Sequence, residues 1–158
     1  MRRILVAVLT LATACVAMAG EWNFITTTGK GKDVEAVAYD RDAIVTLDEG
    51  INVWFAWVNS NPSLKHDLLL MLAHVDCKQK RLKFLQLTTY FRGKHLESIR
   101  KEDAWDYAIP GTLGEALVVF PCRKIEADVN IKTGSLMELV KKGKELLKEE
   151  TSKKETKL

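Results

Sequence analysis

The stretch LAHVDCKQKRLKF (Leu72–Phe84) sets His74, Asp76 and Cys77 close together, with Lys78, Lys80, Arg81 and Lys83 behind them. A catalytic cysteine needs a thiolate of lowered pKa and a base that orients it. In an extended chain, residues three apart point to opposite faces, so His74 does not reach Cys77 there; on a helix the two would meet. No catalytic motif surrounds the cysteine. A zinc site would draw on His66, His74, His95, Asp76 and Cys77, but their spacings match neither H-x₃₋₅-H nor paired C-x₂-C. The chain has no C-x-x-C-H for covalent haem, no G-x-G-x-x-G, no phosphate-binding loop and no G-x-S-x-G. Asp40 and Asp42 share one face of an extended chain and read as solvated turn carboxylates. The expectation is no catalytic residue, no metal and no cofactor.

The reading of Cys77 that remains is structural. The N-terminus, MRRILVAVLTLATACVAMAGEW, carries Arg2 and Arg3, an apolar run from Ile4 to Met18, and Ala17-Met18-Ala19 ahead of Gly20. This predicts a secretory signal peptide over residues 1–19, cleaved near Ala19/Gly20. A lipoprotein cut before Cys15 is the alternative; Ala12 stands where such sites usually carry Leu. No later apolar run is long enough to span a membrane. The leader removes Cys15, leaving Cys77 and Cys122, an even count in an oxidising compartment. A Cys77–Cys122 disulfide is therefore expected.

Composition narrows the rest. Lys+Arg 24 less the two leader arginines, against Asp+Glu 21, leaves a mature net charge of +1. From Arg123 onward there are 10 basic and 7 acidic residues, so a mildly acidic body carries a basic tail. Such a tail suits a solvated helix face or an anionic partner. Nucleic acid is not expected after a signal peptide. Trp22, Trp54, Trp57 and Trp105, with Tyr90 and Phe91, read mainly as core, and otherwise as an aromatic ligand surface.

The elements that must position these residues are mostly short strands. Trp22–Thr28, Asp33–Asp40, Ala43–Leu47 and Ile51–Ser60 read as extended, the last apolar on both faces and so central in a sheet. Leu68–Cys77 and Arg81–Phe91 read as a hairpin joined at Lys78–Lys80, followed by a short candidate at HLESI. TLGE (Thr112–Glu115) and SLME (Ser135–Glu138) are capping boxes that open helices. The first helix is expected to stop at Pro121. The second presents Leu136, Leu139, Val140, Gly143 and Leu147 as one stripe and ends near Glu150. The fold class is α+β: an antiparallel sheet of about five to six short strands, a short helix, a C-terminal amphipathic helix and one disulfide. The expected organisation is a signal peptide (1–19), a domain (20–122), and a basic linker with an amphipathic helical tail (123–158).

The order of AYDRDAI, INVWFAW, VDCKQKRLKFLQL, YFRGK and AWDYAIPGTLGEALVVFPC, after an early Trp22, resembles the surface-adhesin protein E family of Gram-negative bacteria. Thr112 stands where Ser is usual. The resemblance covers about Glu21 to Cys122. It implies an antiparallel sheet with a helix, a structural disulfide, export to periplasm or cell surface, and no enzymatic activity. Members with an assigned role bind host matrix or plasma proteins, and some bind haem. No binding residue carries over. The expected function is an exported, non-enzymatic, adhesin-like domain with a host or envelope protein as partner. Its expected surface is Lys78, Lys80, Arg81, Lys83 and Arg92. A periplasmic accessory protein, a haem or small-ligand binder using His74 or His95, and a homodimer through the tail are the alternatives.

Overall fold

The computed structural model describes residues 20–100, 103–125 and 129–155. The expected signal peptide and Cys15 lie outside them. Nine strands form one antiparallel sheet: β1 (Gly20–Thr28), β2 (Glu35–Asp40), β3 (Val45–Leu47), β4 (Gly50–Asn59), β5 (Leu68–Asp76), β6 (Arg81–Phe91), β7 (Lys94–Arg100), β8 (Asp106–Tyr107) and β9 (Val129–Thr133). Their order is β7-β6-β5-β4-β2-β1-β9, with β3 added on β4 and β8 on β6. Among the described residues, two α-helices, α1 (Leu113–Arg123) and α2 (Leu136–Glu155), and a single 3-10 turn at Gly31–Asp33 complete the fold.

Alternation along each strand loads both faces of the sheet. On β4, Val53, Phe55 and Trp57 join β2's Val37 and Tyr39 and β5's Ala73 and Val75 in a core closed by Leu117 and Val118 of α1. The opposite face carries Trp22, Phe24, Ala36, Ala38, Ala56, Val58, Leu68 and Leu70, closed by Leu139, Val140 and Leu147 of α2. A sheet covered by a helix on each side needs apolar residues in both registers, and β4 has them. The α2 stripe behaves as its spacing predicts. At Gly143 a Cβ would stand 2.8 Å from the Val58 side chain, so glycine lets α2 lie directly on β4.

Several elements differ from expectation. The strand count is nine, not five to six. The additions include β8, only two residues long, and β9, whose Val129, Ile131 and Thr133 do alternate. β9 and α2 lie in the stretch expected as linker and tail; β9 extends the sheet beside β1 and α2 packs on it. Helix α1 does not stop at Pro121. It runs two residues further and closes on Lys124 in the left-handed region (φ 49), with the Ile125 N–H bonded to the Phe120 carbonyl. Proline in the last turn removes one helical hydrogen bond, and this cap satisfies the Phe120 and Pro121 carbonyls. α2 reaches Glu155 rather than Glu150.

The capping boxes are partly formed. Ser135 Oγ accepts from the Glu138 N–H (3.3 Å), while the Glu138 carboxylate reaches back to the Gly134 N–H (2.9 Å). Thr112 caps α1 by position only: its hydroxyl donates to the Ile109 carbonyl (2.6 Å), and Glu115 accepts from the Gly111 N–H (2.8 Å).

Candidate functional site

The β5–β6 hairpin is pinned at its tip. Asp76 Oδ1 accepts from the backbone N–H of Lys78 (3.1 Å) and Gln79 (3.0 Å), an Asx turn that starts the reversal. Lys80 sits in the left-handed region (φ 52), and its carbonyl accepts from the Ala108 N–H (2.8 Å). Cys77 is disulfide-bonded to Cys122 of α1, with Cα atoms 5.7 Å apart. The expected pairing is thus present, and Cys77 offers no thiolate to a substrate.

Register decides which side chains meet. His74 pairs across the ladder with Lys83 and with Asn52, and Asp76 with Arg81. Cross-strand partners share a face, and by alternation from Leu68 and Leu70 this is the face that α2 covers further along. Beyond α2 the same face is occupied by Trp105, from the loop before β8. The Arg81 guanidinium lies 4.2 Å from the Trp105 ring centroid, and the Lys83 ammonium 5.0 Å. The His74 ring lies 5.4 Å from the same ring. Arg81 also pairs with Asp76 (Nε–Oδ2 3.2 Å) and faces Tyr107 at 6.0 Å. Asn52 Oδ1 accepts from His74 Nδ1–H at 2.8 Å. Val45, Leu47 and Tyr107 are exposed on this side. The result is a cationic and aromatic surface on a rigid hairpin.

Electrostatics are consistent with that rigidity. The Gln79 N–H, then the Arg81 side chain, holds the Asp76 carboxyl below its ordinary range, against the opposing pull of burial. An open cleft of about 460 Å³ runs beside the tip between Asp48, Glu49, Lys78 and Arg81.

The structure divides the expected surface. Lys78, Lys80, Arg81 and Lys83 gather at the hairpin tip, whereas Arg92 lies at the other end of β6. There the Arg92 backbone N–H donates to Asp67 (3.2 and 3.3 Å), whose carboxylate also receives Lys144 Nζ of α2 (3.2 Å). This knot ties α2 to the sheet. Trp105 and Tyr107 were not among the expected site residues. Trp105 reads in the sequence like the core tryptophans, yet it is only half-buried, while Trp22 and Trp57 are 1% and 6% exposed.

The histidines are dispersed. His66 lies in the β4–β5 connection, and His95 on β7 contacts Ser98 Oγ (2.8 Å) and the Tyr90 ring (5.6 Å). Among the described residues, no three His, Cys, Asp or Glu side chains gather where they would hold a metal ion. No described helix is long and apolar enough to cross a membrane.

Asp40 departs from the solvated turn carboxylate expected of it. It is 7% exposed, and Oδ1 accepts from the N–H groups of Asp42 (3.1 Å) and Ala43 (3.3 Å). Burial raises its pKa; those two hydrogen bonds oppose the rise, and the charges of Asp42 and Glu21 add to it.

The model of the family described as surface-adhesin protein E matches residues 22–123. No curated protein and no solved structure matches the chain.

Proposed function

The chain belongs to the surface-adhesin protein E family, and from that premise we propose an exported, non-enzymatic domain, displayed at the cell surface, that binds an acidic protein partner through the face around Trp105. Family membership is the observation that carries the reading. The geometry supports it: Arg and Trp are the side chains most often found as binding anchors, and both are held in fixed positions here. Arg81 and Lys83 supply positive charge, Lys78 and Lys80 extend it at the turn, and Tyr107 adds exposed apolar area. The two cations over the indole face make a fixed cation–aromatic cluster at the centre of this face. Arg92 contributes at most a distant contact. With Cys77 in a disulfide and His74 turned to the opposite face, the hairpin offers recognition rather than bond-breaking chemistry.

The test is binding of the purified Gly20–Leu158 chain to immobilised host matrix, plasma and envelope proteins. Lys83→Glu combined with Tyr107→Ala should weaken binding about tenfold or more, and added salt should weaken the unaltered protein. Equal affinity of the double variant would sink the site. Protease applied to intact cells should cut the protein; a chain that survives until the outer membrane is opened would sink surface display.

A further inference from the structure

Gly20 opens β1, and Asp40 closes β2 next to it, paired across the ladder with Trp22. Asp40 uses Oδ1 for the two turn N–H groups. Its other oxygen, Oδ2, is aimed at Gly20: a Cβ on that glycine would stand 2.8 Å from Oδ2 and 2.8 Å from Trp22 Nε1. Glycine is therefore the residue that leaves the carboxylate undisturbed. Covalent geometry puts the Gly20 nitrogen within about 5 Å of Oδ2. The charged neighbours on the packed elements are Glu21, paired with Arg41 at 3.8 Å, then Asp42, and Lys132 of β9 opposite Glu21. A carboxylate this buried, flanked by two other carboxylates, is costly unless a cation comes close.

We propose that Gly20 is the N-terminus of the mature chain and that its ammonium group ion-pairs with Asp40, so that removal of the leader completes the fold. Hydrolysis of the Ala19–Gly20 amide by a leader peptidase consumes one water. The C–N bond breaks, the water oxygen bonds to the Ala19 carbonyl carbon, and both water protons end on the Gly20 nitrogen. The products are the Ala19 carboxylate and the Gly20 ammonium. Before cleavage that nitrogen is a neutral amide and gives Asp40 no counter-charge. After cleavage the new charge lies within the range at which an opposite charge favours ionisation. The sheet strand between β2 and β9 thereby gains its electrostatic anchor only once the leader is gone.

This rests on the export reading, and two measurements keep the failures apart. The mass of the protein recovered from cells should show Gly20 first; another N-terminus overturns the proposal, while a chain retained in the cytoplasm with its leader overturns export itself. Titration then reads the pair in a chain made to begin at Gly20. Its α-amino group should titrate about one unit or more above the ordinary value of about 8 and return to it in Asp40→Asn. The Gly20 chain should also unfold at a higher temperature than a chain with one added N-terminal alanine, and Asp40→Asn should abolish the difference. An α-amino group in its ordinary range, or a difference that survives Asp40→Asn, overturns the pair. Where Asp40→Asn does not fold, the titration of the unaltered chain decides alone.

Discussion

One face of the sheet is built in two ways. Beneath α2 it is apolar throughout, and Ala36, Ala38, Ala56 and Val58 are small side chains among Trp22, Phe24, Leu68 and Leu70 that let a helix with Gly143 come close. Beyond α2 it consists of Asn52, His74, Arg81 and Lys83 around Trp105, with Tyr107 at the rim. The first half needs a helix to exclude water. The second half covers itself, since the Arg81 guanidinium and the Lys83 ammonium lie over the Trp105 indole. The difference teaches that the open half is finished as a surface. It is not core waiting for a missing element.

That comparison can be broken from either side. Cys77→Ser with Cys122→Ser should have the largest effect. The disulfide joins residues 45 apart in sequence, and a loop of that length is worth about 4 kcal/mol in the chain-entropy picture. A chemical-denaturation midpoint measures it, and the hairpin surface should loosen before the α2 half does. Leu139→Ala should cost about 3 kcal/mol by cavity formation, seen as a lower midpoint with the Trp105 surroundings unchanged by NMR. If Leu139→Ala costs nothing, α2 is an appendage and the contrast fails.

Gly143→Val should cost about 2 kcal/mol through collision with Val58, read by thermal unfolding. Asp76→Asn keeps an acceptor for the turn but loses the charged bond to Arg81, a loss on the order of 1 kcal/mol near neutral pH. The sign with pH follows from the lowered carboxyl. Asp76 contributes fully above its ordinary value of 3.8 and loses that contribution as pH falls through the lower folded value. The deficit of the variant should therefore shrink on acidification. Lys83→Ala should be smallest, within about 0.5 kcal/mol for a half-exposed group, while still weakening partner binding.

Much of this was legible from local pattern. The two-sided apolar register of β4, the β5–β6 hairpin and the α2 stripe all follow from periodicity. The disulfide follows from cysteine count and compartment. What depends on long-range pairing was not legible. Trp105 resembles any core tryptophan in the sequence, and only the β6–β8 register places it over Arg81. Lys83 and Arg92 look like neighbours of one basic stretch, yet an extended strand carries them to different ends of the sheet. Asp40 reads as a turn residue because its burial comes from pairing with Trp22 on the neighbouring strand β1, which the local turn pattern does not display. Helix α1 outran Pro121 because a left-handed Lys124 was available to close it, a torsion that sequence pattern does not display.

The Cys77–Cys122 bond also makes a covalent ring. Inside it lie β6, β7, β8 and most of α1, and with them Arg81, Lys83, Trp105 and Tyr107. A single backbone cut within the ring releases no fragment, because both new ends remain joined through sulfur. The stretch from Lys78 to Pro121 is thus one that a protease can nick without detaching it. Before reduction such a nick adds only the mass of one water; two fragments separate once the disulfide is reduced.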